Sequence, residues 1–259
     1  MEILPDLSIC VIARRGGEAL REFLRAIFAA PGYVDLQVIV AAADGDLAAE
    51  LGREYSEALI CEEKDLAAPD TVIYNRALQL ATGRYLALVG EDVRCAPAAL
   101  ERLIDFMEDA PDVGVVAPRL LLPSGAVAGS ARRFHTLASF LLLDCLAATS
   151  PSVNALRRRH FQTDWDRASS REVEWLSSLF LLFRREVLEE IGGLDEGFGS
   201  RYGDLDYCYR ARRAGWHNHF LHDAEMALTD LPETAPGVDR QQLLDGCRFL
   251  VKKGYSLFV

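Results

Sequence analysis

Alternation of short apolar runs with helical patterns is the feature of the first 120 residues that most restricts the fold. Residues 7–13 (LSICVIA), 36–41 (LQVIVA) and 84–89 (RYLALV) are mostly apolar, as expected for strands that are buried on both faces. Between the first two runs, apolar side chains recur at helical spacing, at Leu20, Phe23, Leu24, Ile27 and Phe28. Strand–helix alternation of this kind predicts a doubly wound, mostly parallel sheet with helices on both faces.

The remaining elements of this half follow the same pattern. Helices are predicted at 46–55, at 70–81 with Asp70 as N-cap and Gly83 as the stop, and from Pro97 to Met107. Shorter strands are predicted at 58–61 and 113–117. Sheets of this class bind ligands beyond the carboxyl ends of their strands, so the turns at 14–17, 42–46 and 90–94 are candidate binding segments.

The second half differs in character but is not separated by a linker. An apolar helix is predicted at 137–148, a basic run follows at 157–160, and residues 173–183 change from strand-like alternation to a fully apolar run. Short helices are predicted at 185–191 and 204–214, each ended by glycine. We therefore expect a single α/β domain with two lobes over residues 1–259.

Composition excludes several classes of partner and location. Lys and Arg total 28 against 39 Asp and Glu, a net charge of −11 that disfavours nucleic acid as the main partner. The six cysteines are far apart and include no CxxC pair, which argues against a metal cluster or disulfide framework. No secretory leader is recognised at the amino end, and the apolar run at 137–148 is about half a bilayer span. We expect a reduced cytoplasmic protein without a transmembrane segment.

Two acidic segments are candidates for chemistry. Glu91 and Asp92 follow a predicted strand directly, where adjacent carboxylates could hold a divalent cation; a solvated turn before the next helix is the alternative. Asp204 follows a glycine-rich loop and opens a helix. It could be a general base on a mobile rim, or it could simply cap the helix or serve as an acid in its first turn.

Three other segments have both a functional and a structural interpretation. His217, His219 and His222 could bind a metal, although packed or exposed histidines are the simpler explanation. The basic run at 157–160 could bind a phosphate or an acidic acceptor, or could be a solvated helix face. The apolar run at 137–148 could contact a lipid-linked substrate or could belong to the core.

The order of these segments resembles the family 2 glycosyltransferases, especially their rhamnosyltransferase-like branch, over nearly the whole chain. The first strand and turn, LSICVIARRGG, and the segment YNRALQLATGRYLALV are similar to the family's opening half. The most specific stretch is REVEWLSSLFLLFRREVLEEIGGLDEGF followed by GDLDYCYRARRAGW. It matches the family pattern W-x-x-G-x-x-x-L-x-R-R, then G-G-F-D-E-x-F, then E-D-x-D-x-x-x-R-x-x-x-x-G-W.

The resemblance implies a GT-A type fold and transfer of a sugar from a nucleotide-diphosphate donor to an acceptor hydroxyl with inversion. Asp204 would be the base, and Asp92 would hold Mn or Mg. The first half (1–120) would bind the nucleotide, and the second half (121–259) would bind a glycan, lipid-linked or protein acceptor. Substrate or nucleotide contacts are expected at Arg14, Asp44, Asn75, Glu91, Trp175, Ser177 and Asp206.

Several family site positions carry different residues here. The chain has Ala42, Gly90, Ser178, Gly203 and Leu228 where the family usually has ligand-contacting residues, and Leu179 is expected to crowd the acceptor pocket. Two hypotheses follow. The chain is either an active transferase with an altered donor site or a catalytically silent binding module that retains the fold.

Overall fold

The computed structural model describes a mixed α/β chain over residues 4–29, 32, 34–63, 65, 68–145, 150–199, 202–229 and 240–254. Its strands are β1 Leu7–Ala13, β2 Leu36–Ala42, β3 Leu59–Glu62, β4 Tyr85–Gly90, β5 Val93–Arg94, β6 Val113–Leu121, β7 Ala131–Arg132, β8 Arg171–Val173, β9 Trp175–Leu176, β10 Phe180–Arg184 and β11 His217–Leu228. Its helices are α1 Glu18–Ala29, α2 Gly45–Glu54, α3 Asp70–Leu80, α4 Pro97–Asp109, α5 Leu137–Ser139, α6 Pro151–Phe161, α7 Arg185–Ile191, α8 Gly203–Arg213 and α9 Arg240–Lys252.

One central sheet runs through both halves of the chain, in the order β3-β2-β1-β4-β10-β6-β11-β5, with β8 on the side of β11. Strands β1, β2, β3 and β4 are mutually parallel, and β11 is parallel to β6. Strand β10 lies between β4 and β6 and is antiparallel to both. The predicted mostly parallel, doubly wound sheet is therefore confirmed, with β10 as an antiparallel strand at its centre.

Both faces of the sheet are covered by helices, which explains why its central strands β1, β4 and β10 are almost entirely apolar. In β1, Ile9 packs into the cluster formed with α1, α2 and α4, and its neighbour Cys10 packs into the cluster formed with α3, α7 and α8. Successive side chains of a strand point to opposite faces, so a strand covered on both sides needs apolar residues at every position. In β10, Phe180 and Leu181 divide between the two clusters in the same way.

Two predicted elements differ in the structure. Residues 173–183 are not one strand, because the chain passes from β8 through β9 and a turn at 177–179 before β10 begins. Helix α3 begins at Asp70, but its N-cap is Pro69, so the prediction of Asp70 as N-cap is wrong. The Asp70 carboxylate instead accepts a hydrogen bond from the Arg14 guanidinium.

The apolar run at 137–148 is not a single α-helix. Thr136 and Ser139 form a capping box that starts the three-residue α5, and a π-helical turn continues it over Phe140–Cys145. Phe140 packs closely on Gly246 of α9, where an added Cβ would lie 2.0 Å from the ring. Residues 146–149 lie outside the described residues. No helix in the described part of the chain is long and apolar enough to cross a membrane.

Candidate functional site

The turn between β9 and β10 connects the two acidic segments singled out in the sequence. The backbone N–H of Gly90, at the end of β4, donates to the Leu179 carbonyl over 2.9 Å. On the other side, the backbone N–H of Ser178 donates to Oδ2 of Asp204 over 2.7 Å. One three-residue turn therefore places the carboxyl end of β4 and the start of α8 at the same edge of the sheet.

Asp204 lies in the first turn of α8, as one of the two structural interpretations predicts, but it is not the N-cap, which is Tyr202. Its side chain is 6% exposed, and its second oxygen accepts a 2.7 Å hydrogen bond from the backbone N–H of Leu205. Burial raises the pKa of Asp204, while the hydrogen bonds from Ser178 and Leu205 act to lower it. A fixed carboxylate with a raised pKa suits a group that accepts a proton near neutral pH.

The glycine-rich loop before α8 is tied down over its described part, 192–199, in contrast to the mobile rim expected from the sequence. Thr71 Oγ1 of α3 donates to the Phe198 carbonyl over 2.9 Å, and the Gly199 N–H donates to Asp245 of α9 over 2.8 Å. Gly203 is required at the start of α8 because an added Cβ would lie 2.3 Å from Cγ2 of Thr71. These contacts fix the position from which Asp204 projects.

Asn75 also holds this loop. Its Nδ2 donates to the Leu194 carbonyl (2.8 Å) and to the Glu196 carboxylate (2.9 Å), and its Oδ1 accepts from the Leu194 N–H (2.8 Å). The geometry gives Asn75 a clear structural task, and its contact with a donor stays a prediction.

Glu91 and Asp92, called the acidic pair from here on, converge on the side chain of Arg15. Nε of Arg15 lies 3.1 Å from Oε1 of Glu91, and Nη2 lies 2.6 Å from both oxygens of Asp92. The hydrogen bond to Glu91 is the main reason that the pKa of Arg15 is raised. Thr229, which follows β11, donates its N–H to the Asp92 carbonyl over 2.9 Å and so fixes the backbone of the pair.

The acidic pair has the chemistry of a two-carboxylate cation site. Both side chains already share one cationic group, and a hard divalent ion is commonly held by one or two carboxylates while substrate phosphates and water complete its shell. Within the described ranges there is no cluster of three or more His, Cys, Asp or Glu side chains that could hold a metal alone. Of the described side chains, two carboxylates are thus available to a divalent ion here.

Three other predicted ligand contacts are engaged within the protein. Arg14 pairs with Asp70 of α3. Asp44 is the N-cap of α2, where its carboxylate accepts from the Leu47 N–H over 2.7 Å. Asp206 is fully buried and pairs with Arg210 (2.7 Å) and with Lys252 of α9 (2.6 Å). The first contact joins the turn after β1 to α3, the second caps α2, and the third joins α8 to α9. Roles of these residues in ligand binding stay predictions.

Trp175 belongs to a buried cluster of rings beside Asp204. The guanidinium of Arg132 lies 4.9 Å from the Trp175 ring centroid, and the rings of His135 and His160 lie 4.3 Å apart. Burial is the main cause that lowers the pKa of both histidines, that of His160 to about 4, so both are neutral at pH 7. Within the described residues, neither Nε1 of Trp175 nor Nδ1 of His160 has a hydrogen-bond partner. Both atoms are also shielded from solvent in this structure.

The sequence indicated Trp175 by resemblance but not the residues around it. Arg132 lies on the two-residue strand β7, and His160 ends the basic run on α6. Neither position has a periodic pattern that could have placed it beside Trp175. Ser177, the remaining predicted contact, donates its N–H to the Ser130 carbonyl over 2.9 Å. Leu179 packs against the cluster of α1, α2 and α4, on the face opposite α8.

The three histidines of β11 have separate partners. His217 lies 3.2 Å from Glu172, the ring of His219 packs against Phe106 at 5.3 Å, and Nδ1 of His222 lies 2.9 Å from the Arg167 carbonyl. A contact with Glu172, ring packing and a hydrogen bond thus engage the three histidines separately, rather than at one shared site.

The chain is similar in sequence to a known family and to a curated relative. The family model described as glycosyltransferase like family 2 matches residues 5–244. An N-acetylglucosaminyl-diphospho-decaprenol L-rhamnosyltransferase from Mycobacterium tuberculosis is 28% identical over 145 residues, which cover 55% of this chain and 46% of that relative. The match therefore spans about half the length of the relative.

Solved structures are similar over almost the entire chain. A mannosyltransferase from Pyrobaculum calidifontis in complex with GDP-Man and Mn2+ has a TM-score of 0.62 and 15% identity, over 98% of this chain and 66% of that one. GalNAc-T7 with UDP, GalNAc and Mn2+ has a TM-score of 0.69 and 11% identity, over 97% of this chain and 48% of that one. At these identities the likeness shows the fold alone, and the predicted GT-A type fold is confirmed.

Proposed function

Because the chain belongs to glycosyltransferase like family 2, we propose that it transfers a sugar from a nucleoside-diphosphate sugar to an acceptor hydroxyl, with inversion. The observation that carries this proposal is the buried Asp204 carboxylate, which is held by two backbone N–H groups and has a raised pKa. Through the turn at 177–179 it is connected to the strand end that bears the acidic pair. A base and a cation site on one edge of the sheet are what this reaction requires.

The proposed reaction is a single displacement. The acceptor oxygen attacks the anomeric carbon from the face opposite the diphosphate, the new glycosidic bond forms, and the bond to the diphosphate oxygen breaks. The hydroxyl proton passes to a carboxylate oxygen of Asp204, which removes the need for a free alkoxide. The bonds from Ser178 and Leu205 hold the carboxylate in place, so that little reorganisation is required as the proton is transferred.

The donor would lie at the ends of β1 and β4, with its diphosphate near the acidic pair. Support for a nucleotide-sugar donor comes from the two structural relatives, which contain GDP-Man or UDP, each with Mn2+. When bound, Mn or Mg would supply positive charge at the departing diphosphate. In this chain Glu91 and Asp92 would hold that ion.

The acceptor would lie beside Asp204 and the cluster around Trp175. The mycobacterial relative, an N-acetylglucosaminyl-diphospho-decaprenol L-rhamnosyltransferase, favours a lipid-linked acceptor and a rhamnosyl donor. We further propose that the protein acts in the cytoplasm. Cys10, Cys61, Cys95, Cys208 and Cys247 are free, which suits a reducing compartment.

Donor binding is tested by thermal unfolding with a panel of nucleoside diphosphates and nucleotide sugars, with and without Mn2+. A ligand at a hundred times its dissociation constant stabilises the native state by about 2.7 kcal/mol, which shifts the melting temperature by several degrees. One nucleotide should raise the melting temperature, and Mn2+ should increase that shift.

Asp204→Asn then tests the base. Transfer should fall by roughly 100-fold or more, while the shift caused by the nucleotide is retained. Asp112→Asn is the matched control, because it makes the same change at a carboxylate before β6, at the opposite end of the sheet. Activity of Asp204→Asn within threefold of the wild type would refute the assignment.

The catalytically silent alternative has one observation in its favour, namely that Arg15 occupies both carboxylates of the acidic pair. It predicts that no nucleotide in the panel changes the melting temperature. The same experiment therefore separates the two functions.

A further inference from the structure

Arg15 is held to the acidic pair by four hydrogen bonds but by nothing else in the described residues. Three come from its guanidinium, and the fourth runs from its backbone N–H to Oε2 of Glu91 over 3.0 Å. Nη1 of Arg15 makes no hydrogen bond to the described part of the chain. The side chain is 57% exposed at the edge of a hollow of about 360 Å³, which Gly17, Glu18 and Thr229 also line. The guanidinium can therefore move into the hollow without breaking any other described contact.

The charges around the hollow leave it negative when Arg15 is paired. The acidic pair carries two negative charges against one positive charge on Arg15. The other charged groups that line the hollow in the described part of the chain are already matched: Arg94 lies 2.6 Å from Glu22, and Glu18 lies 2.8 Å from Arg25. A diphosphate would thus meet a net negative surface, and Arg15 alone is not enough to hold it.

A divalent cation would reverse this balance, but it competes with Arg15 for the same atoms. Nη2 of Arg15 contacts both oxygens of Asp92, so an ion bound to that carboxylate must displace the guanidinium. A displaced arginine still needs a partner, and a phosphate offers the paired oxygens that a guanidinium binds well. All three groups therefore find a partner of opposite charge if the metal takes the carboxylates and Arg15 moves from them to the diphosphate.

We propose that Arg15 is an exchangeable counter-ion of the donor site: it neutralises Glu91 and Asp92 in the empty site and moves to the donor's diphosphate when a divalent cation takes the carboxylates. The exchange rests on the proposed function, since it requires a diphosphate donor. It makes metal binding weak without the donor and strong with it. Arg15 thereby prevents the site from retaining metal between turnovers.

The first test needs only Mn2+ and the protein. Free Mn2+ is measured by electron paramagnetic resonance as it is titrated into the wild type, Arg15→Gln and the control Arg14→Gln, which alters a neighbouring arginine that pairs with α3. Arg15→Gln should bind Mn2+ at least tenfold more tightly than the wild type, and Arg14→Gln should not differ from it. Adding Asp92→Asn to Arg15→Gln should abolish the gain.

The second test repeats the titration with a saturating nucleoside diphosphate. The factor by which the nucleotide tightens Mn2+ binding should be at least tenfold smaller in Arg15→Gln, because the competition and the phosphate contact are both lost. If Arg15→Gln and the wild type bind Mn2+ equally tightly without nucleotide, the counter-ion role is overturned. If the nucleotide tightens Mn2+ binding by the same factor in both proteins, the exchange is overturned. The first titration needs neither nucleotide nor transfer, so an inactive protein would count against the proposed function alone.

Discussion

Replacing Asn75 by alanine tests whether this side chain holds the glycine-rich loop or binds the donor. Its three hydrogen bonds to Leu194 and Glu196 are worth about 1 kcal/mol each in net terms. The bond to Glu196 is exposed to solvent and contributes least, and the helix propensity of α3 does not enter, because α3 is helical whether the loop is open or closed. We expect Asn75→Ala to reduce the free energy of loop opening by about 2 kcal/mol.

The assay is hydrogen exchange at the Leu194 amide, which donates directly to Oδ1 of Asn75. A change of about 2 kcal/mol in the opening equilibrium should speed exchange at this amide roughly 30-fold. Gln79→Ala is the control, since Gln79 lies one turn further along α3 and lines, together with Asn75 and Gly193, a surface hollow beside the loop. If Leu194 exchanged at the wild-type rate in Asn75→Ala while diphosphate affinity fell, the structural role would be refuted and the donor contact supported.

Two further predictions concern buried charge. The pKa of His160 is lowered to about 4 by burial, so the folded state favours the neutral ring, and stability present above pH 6.5 is lost as the pH falls towards 4. Between pH 6.5 and 4, urea unfolding should show that the free energy of unfolding falls by about 3 kcal/mol less in His160→Gln than in the wild type. The same pH dependence of this free energy in both proteins would contradict the reasoning. Lys252→Met leaves the buried Asp206 with Arg210 as its remaining described cation and should lower the free energy of unfolding by about 2 kcal/mol. The same urea assay should show no change for the exposed Arg213→Met, and an equal effect of both variants would count against the pair with Asp206.

The strands of the first half could be predicted because a strand that is buried on both faces appears in the sequence as a nearly unbroken apolar run. Every residue of β1 is buried, and alternate side chains enter the two core clusters. A short apolar run such as LSICVIA is what a strand covered on both faces requires. The position of β10 could not be predicted in the same way, because its pairing with β4 and β6 depends on partners far apart in the chain.

The candidate site was predicted in part for similar reasons. Turns that follow parallel strands share an edge of the sheet, which is why Asp92 was predicted to be near the site. The partners of these side chains are set by rotamers and loop geometry that have no periodic signal. The sequence thus indicated Arg14 as a ligand contact, whereas the structure pairs it with Asp70 and directs the neighbouring Arg15 to the acidic pair.

The central position of β10 has a consequence for how the chain is made. Until residue 184 has left the ribosome, β4 and β6 have no strand between them, and each presents an unpaired edge. The nascent first half therefore cannot complete its sheet, however well its own strands and helices form. Late pairing of this kind slows folding and prolongs exposure to chaperones and proteases, so the strand that unites the two halves also makes them one unit of biosynthesis.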